Sequence, residues 1–318
     1  MIFHDLHHPE EDFFQEVKKG LSKDKKSLPP KFFYDLCGSD LFFKITTLPE
    51  YYLTRTELNI LERQGNNIAS VLPENLIIVE YGCGSSEKIL HLLRILRRPA
   101  SYVAIDISRE HLLNLTKGLS RDFPDLEVIA VCADFTRRFS LPLNGQHAHL
   151  PRLAFFPGSS IGNFEPEAAK DFLTQIAEAI GPEGGLLIGV DLKKDDQVLN
   201  RAYNDPQGLT ARFNKNVLSR INRELDGDFD LNKFQHRAFY NASKGRIEMH
   251  LESLEDQRIP IQDMAVKFSR GETIHTENSY KYHVEEFQAL AEAAGWKAHS
   301  VWTDPQKLFS LQYFTRQS

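Results

Sequence analysis

The sequence predicts an α/β fold, with a mostly parallel sheet covered by helices on both faces and finished by an antiparallel hairpin. A second, α+β domain accompanies it. Three observations carry this. From Asn75 to Asp191, short apolar β-branched runs alternate with helical stretches, and strands buried on both faces read as such continuous runs. After Asp191 the alternation stops and strands with alternating faces take over. Near the C-terminus, two more apolar runs flank the turn sequence Thr303-Asp304-Pro305. A chain of 318 residues divides into about two domains. The expected division is 58–192 with 281–318 for the sheet, and 1–57 with 193–280 for a discontinuous second domain.

Taken in order, Glu11 to Lys19 forms an amphipathic helix that Pro29-Pro30 terminates. An aromatic-rich stretch runs from Lys31 to Arg55, and Glu57 to Ala69 is helical. The strands are Leu76–Val79, Tyr102–Ile105, Val128–Val131, Leu153–Phe156 and Leu186–Val190, with helices at Glu87–Leu96, Arg109–Leu119 and Glu167–Ile180. Lys193 to Glu224 reads as helical and polar, and Arg246–Ser253 and Asp263–Phe268 as strands. A helix from Glu285 to Ala294 stops at Gly295, and Ala298–Trp302 with Leu308–Phe314 makes the hairpin.

Composition excludes several functions. With 38 Lys+Arg against 44 Asp+Glu and a net charge of -6, the chain is not built to neutralise nucleic-acid phosphates. Cys37, Cys83 and Cys132 are far apart, which argues against a disulfide framework or a zinc knuckle and for a reducing compartment. No apolar run is long enough to span a bilayer, and the N-terminus carries acids and histidines rather than a signal sequence. The expectation is a cytoplasmic monomer with no metal, nucleic-acid or membrane partner.

The sharpest motif is Val79 to Lys88, VEYGCGSSEK, which ends a strand and opens a helix. Glycines there permit a tight turn and close ligand approach. Asp106 ends the next strand and either accepts from ribose hydroxyls or stands at the start of the following helix. A dinucleotide loop places a third glycine where this chain has Glu87, whose carboxylate repels a pyrophosphate. A nucleoside without phosphate, S-adenosylmethionine (SAM), suits the loop. Asp134-Phe135 after the third strand fits an adenine site, or is a turn Asp beside a core Phe. Pro157 to Phe164, PGSSIGNF, follows the fourth strand, where Asn163 either binds a methyl acceptor or only steadies the loop.

These segments, with PPKFFYDLCGSDLFFKITTLPEYYLTRTE, the AYND around Tyr203, RIEMHL and TENSYKY, together resemble the histidine Nα-methyltransferases of ergothioneine biosynthesis, from Pro29 to the C-terminus. The resemblance implies a class I SAM-dependent methyltransferase fold, Rossmann-like with its C-terminal hairpin. It also implies trimethylation of L-histidine to hercynine with SAM as methyl donor. By similarity Tyr34, Gly82, Lys88, Asp106, Asp134 and Phe135 line the donor site. Tyr51, Asn163, Tyr203, Met249, Glu277 and Ser279 resemble the histidine-binding set, with Asn163 and Tyr34 nearest the reacting atoms. Glu277 and Ser279 are two apart, so in extended chain both point the same way and can bind the imidazole nitrogens or satisfy each other. Without the family, Glu277 reads as a solvated strand charge, and Met249 and one of Tyr51-Tyr52 as packing. The competing functions are methylation of a histidine conjugate or another aromatic amino acid, and a silent nucleoside-binding scaffold. Glu277 favours imidazole over indole, which has one donor and no acceptor.

Overall fold

The structure, a computed structural model, describes residues 1–6, 9–84, 86–143 and 149–317, with backbone alone for 9–12. Ser85 of the glycine loop and residues 144–148 lie outside the described residues. The chain begins with β1 (Ile2–Asp5), α1 (Pro9–Leu21), α2 (Leu36–Thr46) and α3 (Tyr52–Val71). The alternating region follows as β2 (Ile77–Tyr81), α4 (Ser86–Ile95), β3 (Ser101–Asp106), α5 (Arg109–Asp122), β4 (Glu127–Cys132), β5 (Arg152–Phe156), α6 (Pro166–Ile180) and β6 (Gly185–Asp191). Then come α7 (Asp196–Ala202), α8 (Leu209–Glu224), β7 (Phe234–Asn241), β8 (Arg246–Ser253), β9 (Gln257–Ile261), β10 (Met264–Phe268) and β11 (Thr273–Tyr280). The chain closes with α9 (Val284–Glu292), β12 (Trp296–Thr303) and β13 (Phe309–Arg316).

Two compact units result. The first comprises Met1–His7, Leu53–Lys193 and Tyr280–Ser318. Its sheet has the order β1-β4-β3-β2-β5-β6-β13-β12, parallel from β1 to β6 and antiparallel at β13 and β12. Helices cover both faces, so β2 and β6 are buried at every position. One face carries a core of Phe156, Phe172, Ile176, Phe287 and Trp296. The indole N–H of Trp296 donates to the Leu173 carbonyl at 3.0 Å, which satisfies a wholly buried polar atom. The order reverses between β2 and β5, so their carboxyl ends flank the switch point where open α/β sheets bind ligands.

The second unit comprises His8–Tyr52 and Lys194–Ser279. A three-stranded sheet, β11-β8-β7, and a β9–β10 hairpin stand with α1, α2, α7 and α8. Phe213, Val217, Leu218 and Ile221 form the buried stripe of α8.

The structure departs from the sequence expectation in three places. Residues 1–57 were expected together in the second domain, yet β1 pairs in parallel with β4 and extends the first sheet. The helical stretch Lys193 to Glu224 is broken at Tyr203–Gly208, where Asp205-Pro206 and a left-handed Gly208 (φ 67°) form a turn. Asp205 then accepts from the Leu209 and Thr210 N–H groups, both at 2.8 Å, and starts α8. Strands β7, β9 and β11 were not foreseen. The segment Lys194–Ser279 leaves and re-enters the first unit at one place: Lys193 N–H donates to the Tyr282 carbonyl at 3.0 Å, and Asp191 pairs with Lys281 at 2.7 Å, both side chains wholly buried.

Candidate active site

In the first unit the glycine loop follows β2. Gly82 has φ 73°, a conformation that favours glycine, and its N–H donates to the Ile105 carbonyl at 2.8 Å. A Cβ there would lie 3.4 Å from the Phe135 ring. The loop is therefore turned tightly over the end of β3, with Phe135 at its side. Phe135 is half-buried and meets Tyr81, Phe156 and Phe172 at ring-centroid distances of 6.4, 5.9 and 5.7 Å.

Asp106 closes β3. Its Oδ1 accepts from the Ser108 N–H at 2.8 Å, while Oδ2 faces the Cys83 thiol at 3.9 Å. Burial pushes its carboxyl above the usual range, against the backbone N–H groups that favour ionisation. A carboxylate with a desolvated oxygen beneath a glycine turn fits a ligand that brings hydroxyl donors. Asp134 is more committed: Oδ1 accepts from the Thr136 N–H at 3.0 Å and the Thr136 hydroxyl, and Oδ2 stands 3.7 Å from Arg137 Nε. That is the turn geometry the sequence left open for it.

Glu80, one residue before Tyr81, is buried in β2 and accepts from the Tyr102 hydroxyl. Burial pushes its carboxyl from 4.5 up to about 8, with the Tyr102 bond opposing the rise. The fold thus retains a proton that the unfolded chain gives up near 4.5, and stability declines as pH rises from there toward about 8. Each pH unit across that interval costs about 1.4 kcal/mol. Glu80→Gln keeps an acceptor for Tyr102 and is expected to remove this decline. The check is Tm of both proteins at about pH 5 and about pH 8. A native-minus-variant difference that does not change between them refutes it.

The acceptor-side loop follows β5. Gly158 and Ser159 are consecutive left-handed residues (φ 81° and 59°), and a 3-10 turn, Ser160–Asn163, brings Asn163 to a half-exposed position. Ser159 Oγ accepts from the Asp191 N–H at 2.9 Å. The Gly158 N–H donates to both oxygens of Glu57, at 3.1 and 2.9 Å, and Glu57 pairs with Lys88 Nζ at 2.7 Å. Lys88 thus spends its ammonium on a buried carboxylate beside the loop.

In the second unit an aromatic series connects most of the expected acceptor residues. Tyr34 ends a short 3-10 turn (Pro30–Phe33) and meets Phe42 and Phe213 edge-on at 5.6 and 5.5 Å. Phe42 meets Tyr51 at 6.1 Å, and Tyr51 meets Tyr203 at 6.2 Å. The Tyr203 hydroxyl donates to Ser279 Oγ at 2.8 Å. Asn216 on α8 fixes the start of this series by donating to the Phe33 carbonyl at 3.2 Å and to Asp35 at 2.8 Å. Asp35 caps α2 through the Gly38 N–H at 2.7 Å. Tyr52, by contrast, is core, with its hydroxyl bound by Lys194 at 2.7 Å.

Glu277 and Ser279 lie in β11, so their side chains share a face. Ser279 spends its hydroxyl on Tyr203, and Glu277 is half-buried. The strand is fixed beside them by Thr276, whose hydroxyl donates to Asn214 at 2.7 Å and to the Met249 carbonyl at 3.1 Å. Met249 is buried in β8.

Glu248, His250 and His275 form the one described cluster with metal-ligand spacing, their donor atoms within 4.8 Å. The two rings are stacked at 4.6 Å, and Arg246 Nε donates to Glu248 at 2.8 Å. Burial opposes the Glu248 charge, but Arg246 and His250 outweigh it and hold the carboxyl at about 2. Burial also keeps both imidazoles below their usual basicity. The cluster is an ion pair against a stack of neutral rings.

A family model and two relatives match nearly the whole sequence of this chain. The model described as "Histidine-specific methyltransferase, SAM-dependent" matches residues 13–316. The chain belongs to that family. It is 42% identical over 303 residues to the histidine N-alpha-methyltransferase of Mycobacterium tuberculosis, covering 93% of this chain and 92% of the relative. It is 40% identical over 311 residues to the same-named protein of Mycolicibacterium smegmatis, covering 95% and 94%. Among solved structures, a possible exported protein from Bordetella parapertussis aligns with TM-score 0.50 at 13% identity, covering 88% of this chain and 79% of that one, a likeness of fold alone. The sheet, parallel but for its terminal hairpin, is the class I SAM-dependent methyltransferase fold.

For this methyltransferase the first unit holds Gly82, Lys88, Asp106, Asp134, Phe135 and Asn163, and the second holds Tyr34, Tyr51, Tyr203, Met249, Glu277 and Ser279. Sequence reasoning missed Glu57, Phe42 and Phe213. Nothing near Glu57 in the chain marks it, because its partner Gly158 is 101 residues away.

Proposed function

We propose that the protein transfers methyl groups from SAM to the α-amino nitrogen of L-histidine and carries the product to the trimethylbetaine, hercynine. The observation that carries this is the connected set Tyr34, Tyr51, Tyr203 and Ser279, with Glu277 on the same strand face as Ser279, in a member of this family. Glu277 and Ser279 bind the imidazole, and Tyr51 and Met249 surround it. Asn163 and Tyr203 hold the amino-acid end. Gly82, Asp106, Asp134, Phe135 and Lys88 form the donor side, with Asp106 accepting from ribose hydroxyls. Lys88 stands there by way of its pair with Glu57.

A sulfonium donor supplies an already activated methyl group, so the protein's task is alignment and solvent exclusion. Asn163 has donor and acceptor capacity at the attacking nitrogen and directs its lone pair. The ammonium proton passes to water through Asn163 or a tyrosine rather than to a dedicated base. The Tyr34 ring face stabilises the fixed cation of the product by cation–π contact. We also read the protein as a cytoplasmic monomer acting on small molecules, without nucleic-acid or membrane partners. Cys37, Cys83 and Cys132 are free, as a reducing compartment keeps them. Among the described residues no helix is long and apolar enough to cross a membrane.

The test is mass spectrometry of products from the purified protein, SAM and competing acceptors: histidine, tryptophan and a histidine conjugate. Stepwise methylation of histidine, preferred over the others, is the expected outcome. Preference for another acceptor, or no methylated product, refutes the reading.

A further inference from the structure

Glu57 takes no part in the chemistry proposed above, yet its carboxylate is wholly buried and fully engaged. It accepts from the Gly158 N–H at both oxygens and from the Lys88 ammonium. The surroundings are shaped to it. A Cβ on Gly189 would stand 2.2 Å from Glu57 Oε1, and one on Gly158 would stand 3.1 Å from Lys88 Nζ. Lys88 lies in α4, the helix that opens at the glycine loop. Gly158 begins the loop that presents Asn163. One carboxylate therefore joins the donor-side helix to the first peptides of the acceptor-side loop.

Stability alone does not account for an ion pair here. A buried pair is commonly replaced by apolar residues of similar volume without loss. The loop needs something else. A non-glycine residue in the left-handed region, here Ser159, is strained and persists only where its surroundings over-determine it. Asp191 N–H holds the loop through Ser159 Oγ, and Glu57 holds it through Gly158.

We infer that Glu57 is a positioning residue, which sets Asn163 against the donor loop through Gly158 and Lys88. The inference rests on the acceptor-side role proposed for Asn163.

Three variants of the full chain test it. In Glu57→Gln the amide keeps one oxygen, loses the charge that pairs with Lys88, and sets an NH2 group against the Gly158 N–H, which both carboxylate oxygens accept from in the native protein. Its kcat for histidine is expected to fall about 30–100-fold at saturating substrates, the scale of a small misplacement of reacting groups. Its affinity for S-adenosylhomocysteine, read by calorimetry, is expected to stay within about threefold. Adding Lys88→Met leaves the amide oxygen to Gly158 and no unpaired ammonium; Lys88 is then lost from the donor side in both double variants, so their kcat values at saturating donor are compared with each other and not with the native protein. Glu57→Leu with Lys88→Met packs the same space without an acceptor for Gly158. It is expected to fold and to remain at least about tenfold below the Gln/Met pair.

A kcat for Glu57→Gln within about threefold of native overturns the inference, as does equal kcat in the two double variants. So does a parallel loss of kcat, S-adenosylhomocysteine affinity and Tm, which assigns Glu57 to stability alone. Should the single variant not fold, the two double variants decide by the same comparison. Amide hydrogen exchange at Gly158 gives a readout independent of activity, with faster exchange expected in Glu57→Gln and in Leu/Met and native-like exchange in Gln/Met. If the native protein methylates no histidine, the functional reading fails, and Gly158 exchange still judges Glu57.

Discussion

Glu277→Ala is expected to raise KM for histidine about 30–150-fold, the value of a charge-assisted hydrogen bond of about 2–3 kcal/mol. Affinity for S-adenosylhomocysteine is expected to stay within about threefold. The strand around Glu277 is held by contacts the substitution leaves alone. Thr276 is tied to Asn214 and to the Met249 carbonyl, and His275 Nε2 stands 3.1 Å from the Glu277 carbonyl. Ser279 stays fixed by Tyr203. What is lost is the carboxylate beside that serine, so the effect should fall on the acceptor. Calorimetry with histidine and with S-adenosylhomocysteine separates the two ligands. Unchanged histidine affinity removes Glu277 from the site.

Asp106→Ala is expected to act on the other ligand. Two ribose hydroxyls donating to one carboxylate are worth about 2–3 kcal/mol, so S-adenosylhomocysteine should bind about 30–150-fold more weakly, with KM for histidine at saturating donor little changed. The state of Asp106 adds a pH dependence. Burial holds its folded-state carboxyl above the usual range, so acidification protonates it earlier than an exposed aspartate. Donor affinity should then fall on acidification at a pH above the ordinary aspartate value, and this loss should vanish in the alanine variant. Affinities measured across that range check both statements. Equal donor affinity in native and variant refutes the role of Asp106.

The parallel sheet was legible because burial on both faces writes continuous apolar runs, as Ile77–Val79 and Leu186–Ile188 show. The first strand was not, since Ile2–Asp5 lies at the sheet edge, partly exposed, and its partner β4 is more than a hundred residues away. β7 and β11 escaped because one face of each carries polar residues, so their apolar pattern is interrupted. The break before α8 did carry a signal in Asn204-Asp205-Pro206-Gln207-Gly208, outweighed by the helical residues around it.

The site divides along similar lines. The tight turn at Gly82 was legible from its position after β2, whereas position alone left Asp106 between a ribose acceptor and a residue at the start of the next helix. Tyr34, Tyr51, Tyr203, Glu277 and Ser279 were singled out only through resemblance. Aromatic and polar residues scattered from Tyr34 to Ser279 have no local pattern, and the series linking them runs through Phe42, which nothing in the sequence marks. At Asp134, motif position left a turn Asp and an adenine acceptor both open, and Oδ1 serves the turn through Thr136.

The buried Asp191–Lys281 pair has an evolutionary meaning. It fastens the exit and the return of residues 194–279 at one point of the sheet, as a socket fastens the two pins of a plug. A segment with adjoining ends can be lengthened, reshaped or exchanged without shifting the register of β6 or β13. On the proposed assignment of Tyr203, Met249, Glu277 and Ser279 to the acceptor, its preference can change within that segment while the glycine loop and Asp106, in the other unit, stay as they are.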